Sequence, residues 1–176
     1  MPNQDITNEI INEYTEKWFK NNYVIGIQMR ATDSLFLDEN IDHLKFINCA
    51  LEIEKEFILN SKTFSVKFKW FIATDSDKIR KFIFDNYKEK SFTSNGTLSH
   101  TSLGEKDGFR RAVLDVELLS RCNEIIVTSG STFGWLAAMK MLKLPYVISG
   151  SNQMMMKCSR MDLRHPSVNP HGRTSF

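Results

Sequence analysis

Helical and extended hydrophobic patterns alternate along this chain. Apolar residues recur at helical spacing, with polar residues between them, in five stretches: 5–22, 41–60, 77–87, 109–122 and 132–142. Runs rich in β-branched and aromatic residues stand between these stretches and predict strands: 23–30, 65–74, 125–128 and 144–150, with a minor strand near Phe92. Gly and Pro mark several of the joins.

This alternation predicts an α/β fold: a Rossmann-like, mostly parallel sheet with helices on both faces. The run Phe71-Ile72-Ala73 is apolar without interruption, as expected of a strand covered on both sides. With 176 residues, 41% of them hydrophobic, the chain is long enough for one core, so residues 1–176 are predicted to form a single domain. Ligands of such sheets gather at the carboxyl ends of the strands.

Composition narrows the class of partner. The formal net charge is +2, from 23 basic and 21 acidic residues, which gives no argument for nucleic acid. No apolar run of membrane-spanning length or signal-peptide pattern is visible, which predicts a soluble domain or a soluble piece of a longer chain. The three cysteines lie far apart and match no zinc spacing; Cys49 and Cys122 are predicted to be buried or incidental thiols.

One strand end carries an unusual density of small polar residues. The run Ser129-Gly130-Ser131-Thr132 follows the strand 125–128 and precedes an apolar helix that includes Phe133. A helix N-terminus attracts anions through its unbonded N–H groups, and a glycine allows close approach, so a phosphate cradle is one interpretation. A Ser/Thr-rich helix cap without a ligand is the other, and the sequence leaves both open.

Two further strand ends carry charge. Arg30 ends the first strand and can hold a phosphate or carboxylate through a bidentate contact, although it could instead pair with Asp33 at the surface. Asp75 follows the second strand and can accept hydrogen bonds from a base or a ribose, or cap the next helix together with Ser76. A metal site at Asp75-Ser76-Asp77 is discounted, because acidic residues are ordinary at a helix start. Together these strand ends predict a pocket for a phosphate-bearing ligand, such as a nucleotide.

Three stretches, in order, resemble the donor-nucleotide domain of GT-B fucosyltransferases: "GIQMRATD", "FIATDS" and "DVELLSRCNEIIVTSGSTFGWLAA". The motifs resemble those of the plant xyloglucan α-1,2-fucosyltransferase family, which carries Gln in the first motif and a "TS-STFG" pattern in the third. The α-1,2-fucosyltransferases of animals and bacteria are similar too. The resemblance runs from about Tyr23 to Gly150 and implies the C-terminal half of a GT-B enzyme.

The resemblance implies roles for individual residues. Arg30 would bind the diphosphate of GDP-fucose and steady the leaving group, Asp75 would meet the guanine, and the segment Ser131-Thr132-Phe133 would lie at the phosphates. Gln28 stands where many members have histidine. The further sugar-donor-binding residues expected near these motifs are Asp33, Ser76, Ser129 and Gly130.

The implied activity is inverting transfer of fucose from GDP-fucose to a glycan acceptor, of α-1,2 type, without a metal or other cofactor, in the Golgi lumen. GT-B enzymes have two Rossmann-like domains, and only one fits in 176 residues, so the acceptor domain is expected to be absent. A nucleotide-sugar-binding module, or a truncated remnant without transferase activity, is the alternative. An unrelated Rossmann-like phosphate-binding enzyme is a third.

Overall fold

Helices and strands alternate through the part of the chain that a computed structural model describes: residues 2–31, 43–61, 65–95, 106–148, 158 and 160. The helices are α1 (Pro2–Tyr14), α2 (His43–Ser61), α3 (Asp77–Tyr87), α4 (Lys106–Leu119) and α5 (Thr132–Lys140), and a π-helical turn, Thr15–Phe19, continues α1. The strands are β1 (Tyr23–Met29), β2 (Phe68–Thr74), β3 (Ser91–Phe92), β4 (Glu124–Thr128) and β5 (Tyr146–Ile148).

The strands form one five-stranded sheet in the order β3-β2-β1-β4-β5, and every neighbouring pair is parallel. The predicted Rossmann-like α/β fold is therefore confirmed. The chain builds β1 to β3 toward one edge and then crosses over to add β4 and β5 on the other side of β1. This reversal of strand order opens a crevice at the carboxyl ends of β1 and β4, where ligands of such folds bind.

Helices cover both faces of the sheet. Residues of α1, α4 and α5 share one buried cluster with one set of strand side chains, which includes Val24 and Val127. Residues of α2 and α3 share a second cluster with the other set, which includes Ile25 and Ile126. Because successive side chains of a strand point to opposite faces, covering both faces requires the continuous apolar runs that the sequence shows.

Some apolar residues at helical spacing are exposed instead of buried. Phe109 and Val113, which stand at helical spacing in α4, have 64% and 39% of their surface exposed. Leu44 and Leu51 of α2 are exposed too. These helices each cover the sheet on one side only, so the buried face is narrower than the apolar pattern suggests.

The expectation for the cysteines is right for Cys122 and wrong for Cys49. Cys122 is a free, buried thiol, and burial raises its pKa. Cys49, on α2, forms a disulfide with Cys158 across a sequence separation of 109 residues. Nearby, Arg160 pairs with Glu124 at 2.6 Å and forms an antiparallel bridge with Tyr146, so Cys158 and Arg160 both contact the α/β core. No helix within the described ranges is long and apolar enough to cross a membrane.

Candidate nucleotide-binding site

The fold brings the polar strand ends predicted from the sequence to one edge of the sheet. Met29, the last residue of β1, pairs with Thr74, the last residue of β2, so Arg30 and Asp75 follow side by side. On the other side of β1, Gln28 pairs with Val127, which places the turn after β4 at the same edge. Three segments far apart in sequence therefore meet at one edge of the sheet.

Arg30 and the residue after it are held from both neighbouring strands. The backbone N–H of Arg30 donates to Thr128 Oγ1 at 3.0 Å. The N–H of Ala31 donates to Asp75 Oδ1 at 2.8 Å, and Arg30 Nε lies 3.8 Å from Asp75 Oδ2. Both side chains are about 30% exposed, at 31% and 27%. Asp33, the alternative partner, lies outside the described residues, and the structure gives Arg30 an ion pair with Asp75.

The turn before α5 contains the helix cap that is one interpretation of its small residues. Gly130 has φ 75°, a left-handed conformation that glycine adopts without strain. Ser131 is the N-cap of α5, and its Oγ accepts from the N–H of Gly134 at 3.5 Å. Ser131 therefore caps the helix. Its own backbone N–H donates to Thr128 O at 3.1 Å, which closes the turn.

The same turn also presents exposed small residues at the N-terminus of α5. In the described part of the chain, nothing accepts a hydrogen bond from the N–H of Thr132 or Phe133. Ser129, Gly130 and Thr132 are exposed. Unbonded N–H groups at a helix N-terminus, together with the helix dipole, favour a bound anion.

Gln28 lies beneath this turn, not in the open crevice. It is 3% exposed, and its Oε1 accepts from the N–H of Thr128 at 3.2 Å. Its backbone carbonyl accepts from Thr128 Oγ1 at 3.2 Å. The contacts of Gln28 with described residues thus fasten the end of β1 to the end of β4.

The acidic trio after β2 divides into separate roles. Ser76 caps α3, because its Oγ accepts from the N–H of Ile79 at 3.3 Å. Asp77 pairs with Arg80 at 2.8 Å, and Asp75 turns toward β1 as described above. Among the described residues no group of three or more His, Cys, Asp or Glu side chains could hold a metal ion.

A buried polar cluster near the same edge was not predicted. Ser94, two residues after β3, donates to Asp115 of α4, and Arg111 Nε lies 3.3 Å from Ser94 Oγ and 3.6 Å from Asp115 Oδ2. Burial raises the pKa of Asp115 to about 6, although the Ser94 hydrogen bond and the Arg111 charge act in the opposite direction. The only signal in the sequence is the i, i+4 spacing of Arg111 and Asp115, which is common on exposed helix faces as well.

Solved structures of similar fold are known, although no similar sequence was found. No protein-family model matches this sequence, and no curated protein matches it either. Among solved structures, a mutant of FUT1 from Arabidopsis thaliana in complex with GDP has a TM-score of 0.54 and 17% identity over 80% of this chain. The selenomethionine form of the fucosyltransferase NodZ from Bradyrhizobium has a TM-score of 0.53 and 20% identity over 90% of this chain. The NodZ α-1,6-fucosyltransferase co-crystallised with GDP has a TM-score of 0.49 and 22% identity over 76% of this chain.

The chain spans only part of these enzymes: 32% of the FUT1 structure, 48% of the selenomethionine NodZ structure and 40% of the GDP-bound one. At such low identity the likeness is one of fold. The resemblance expected from the three motifs is confirmed at that level, and this chain has the Rossmann-like α/β fold found in GT-B fucosyltransferases.

Proposed function

We propose that this chain is the donor-nucleotide domain of a fucosyltransferase and binds GDP-fucose. One observation carries the proposal: Arg30, directly after β1, is bonded at the switch point of the sheet to Thr128, the last residue of the strand that leads to the N-terminus of α5. A fixed cation and an unbonded helix end at one crevice suit a diphosphate.

The phosphates would be shared between these two elements. Arg30, whose Nε lies 3.8 Å from Asp75 Oδ2, would meet phosphate oxygens through its guanidinium. The N–H groups of Thr132 and Phe133 would meet the other phosphate, with the hydroxyl of Ser129 beside them. Gly130 would allow close approach of the backbone.

This arrangement would also serve catalysis. In fucosyl transfer an acceptor hydroxyl attacks the sugar carbon, the bond from that carbon to the diphosphate breaks, and negative charge grows on the departing GDP. Arg30 and the dipole of α5 would stabilise that charge more in the transition state than in the ground state. They would do so in place of a divalent metal.

The base contacts are a separate part of the proposal. By resemblance Asp75 would meet the guanine, with Gln28, Asp33 and Ser76 nearby. The carboxylate of Asp75 already accepts from the N–H of Ala31 and faces Arg30, which favours a role in holding Arg30 in place. Gln28, at 3% exposure, would act on the ligand mainly by holding the turn after β4 in place.

The acceptor and its linkage rest on the resemblance alone. A glycan acceptor and α-1,2 transfer are proposed because the motifs resemble the plant xyloglucan-type family, whereas one neighbour in fold is described as an α-1,6 enzyme. In a GT-B enzyme the acceptor would be bound by a second domain. The Cys49–Cys158 disulfide supports the Golgi lumen as the location, because disulfides persist in oxidising compartments.

Glycan-dependent release of GDP tests the proposal. The protein would be incubated with GDP-fucose and a panel of glycans, with GDP release measured and any product linkage assigned by NMR. The proposal expects release that depends on the glycan, and the α-1,2 assignment would fail on any other linkage. Binding of GDP-fucose without glycan-dependent release would identify a nucleotide-sugar-binding module, and absence of GDP-fucose binding would contradict both.

A further inference from the structure

The hydroxyl of Thr128 links the ends of β1 and β4. Thr128 is 2% exposed, and its Oγ1 donates to Gln28 O at 3.2 Å while it accepts from the N–H of Arg30 at 3.0 Å. The β1–β4 register ends one residue earlier, at the pair Gln28 and Val127. The side chain of Thr128 therefore extends the connection between the two strands up to the arginine.

Asp75 makes the corresponding contact from β2. Its Oδ1 accepts from the N–H of Ala31 at 2.8 Å, and its Oδ2 faces Arg30 Nε at 3.8 Å. The chain at Arg30 and Ala31 is thus bonded from two strands on opposite sides of β1. Ser76, not Asp75, caps α3, so the Asp75 carboxylate is not engaged in the cap.

We propose that Thr128 and Asp75 are positioning residues that hold Arg30 in the geometry required to bind the diphosphate, an inference that rests on the proposed function. An arginine side chain has many rotamers, and ordering it on binding costs free energy. A backbone fixed at both successive N–H groups, with a carboxylate beside Nε, reduces this cost before the ligand arrives. Neither residue needs to touch the ligand for this effect.

The affinity of Thr128 variants for GDP and guanosine tests the inference. Thr128→Val removes the hydroxyl at nearly constant volume, and Thr128→Ser restores it. We expect Thr128→Val to weaken GDP binding by about tenfold, with guanosine affinity nearly unchanged and GDP affinity recovered in Thr128→Ser. Thr93→Val is the matched control, because it removes a hydroxyl that donates to Ile72 O at 2.9 Å near the end of another strand.

A double-mutant cycle separates positioning from packing. If Thr128 acts through Arg30, Thr128→Val should cause no further loss of GDP affinity in an Arg30→Ala background. Asp75→Asn should lower the affinities for GDP and ADP by the same factor. A loss restricted to guanine nucleotides would instead make Asp75 a base reader and remove it from the inference.

Amide hydrogen exchange in the ligand-free protein gives a readout that does not depend on GDP. Thr128→Val should speed exchange of the Arg30 N–H, and Asp75→Asn that of Ala31, while Ile27 in the middle of β1 keeps its protection. Unchanged exchange at Arg30 in Thr128→Val would overturn the inference, as would an equal loss of GDP and guanosine binding. A parent protein that does not bind GDP would refute the proposed function, and the positioning of Arg30 would then be decided by exchange alone.

Discussion

The amide oxygen of Gln28 lies where a side chain on Gly134 would have to stand. A Cβ on Gly134 would be 2.6 Å from Gln28 Oε1 and 2.8 Å from Val127 Cβ. The first turn of α5 thus packs directly on the side chains of Gln28 and Val127 near the ends of β1 and β4, and only glycine allows this approach. The close contact sets the position of the helix N-terminus relative to Arg30.

Gly134→Ala should therefore destabilise the fold and weaken GDP binding together. Overpacking of this kind costs about 1–3 kcal/mol of unfolding free energy, which should exceed the helix-propensity gain of about 1 kcal/mol. Denaturant unfolding and GDP titration measure the two effects. Leu136→Ala, at a position of α5 that is 55% exposed, is the control and should change neither. A stable Gly134→Ala variant with full GDP affinity would show that α5 can shift without consequence.

Arg30→Lys should damage diphosphate binding more than Ser131→Ala does. Lysine keeps the charge but cannot reproduce the planar bidentate contact, whereas the Ser131 hydroxyl already serves the helix cap. Affinities for GDP and guanosine would be compared in both variants, and guanosine should bind both nearly as well as it binds the parent. Where turnover exists, Arg30→Ala should lower kcat as well. Arg30→Lys binding GDP as tightly as the parent would remove Arg30 from the site.

Ser76→Ala tests whether this residue binds the ligand or only caps α3. Loss of an N-cap hydroxyl typically costs about 1 kcal/mol of stability, and Ser76 Oγ accepts from the N–H of Ile79. We expect a lower midpoint in thermal unfolding in either case. A change in GDP affinity beyond that of an equally destabilised control would support the ligand contact expected by resemblance, and unchanged affinity would limit Ser76 to the cap.

The buried carboxyl of Asp115 should make stability depend on pH. Its folded-state pKa of about 6 lies above the ordinary 3.8, chiefly through burial, with Ser94, Arg111 and Arg80 acting to lower it. The folded protein then holds this proton more tightly than the unfolded chain does. The resulting stabilisation is greatest below pH 4 and is lost as the pH rises through about 6.

Asp115→Asn should remove this dependence. One pKa unit corresponds to about 1.4 kcal/mol, so the parent should lose on the order of 3 kcal/mol relative to the variant between pH 4 and 7. Urea unfolding at several pH values gives the unfolding free energy of both proteins. The variant also leaves Arg111 beside an uncharged amide, but the cost of this does not depend on pH, so it does not affect the slope of unfolding free energy against pH. Parallel pH profiles for parent and variant would contradict the raised pKa.

Local patterns predict the elements of this fold, but not the contacts between them. The strand Glu124–Thr128 and the helix after it can be predicted from the sequence, because one short segment contains an apolar run, then small polar residues, then a second apolar run. The carboxyl-end rule then placed Arg30 near Asp75 without any knowledge of strand order. The Cys49–Cys158 disulfide was not readable, since no local spacing relates residues 109 positions apart.

The finer roles at the site depend on neighbours across the sheet. The sequence places Thr128 at the end of the strand 125–128, but only the fold shows that its hydroxyl is bonded to Gln28 and Arg30, because β4 lies next to β1. Asp75 was considered as a helix cap, a role that falls to Ser76. Strand order and register decide such contacts, and the local hydrophobic pattern predicts neither of them.

Calorimetric titration of the protein with GDP, in the presence of a chelator, tests the central claim most directly. We predict that GDP binds with the same affinity with and without divalent metal, because Arg30 and the N-terminus of α5 supply the positive potential, and that ADP and UDP bind more weakly. Absence of GDP binding, or binding that the chelator abolishes, would contradict this account of the site.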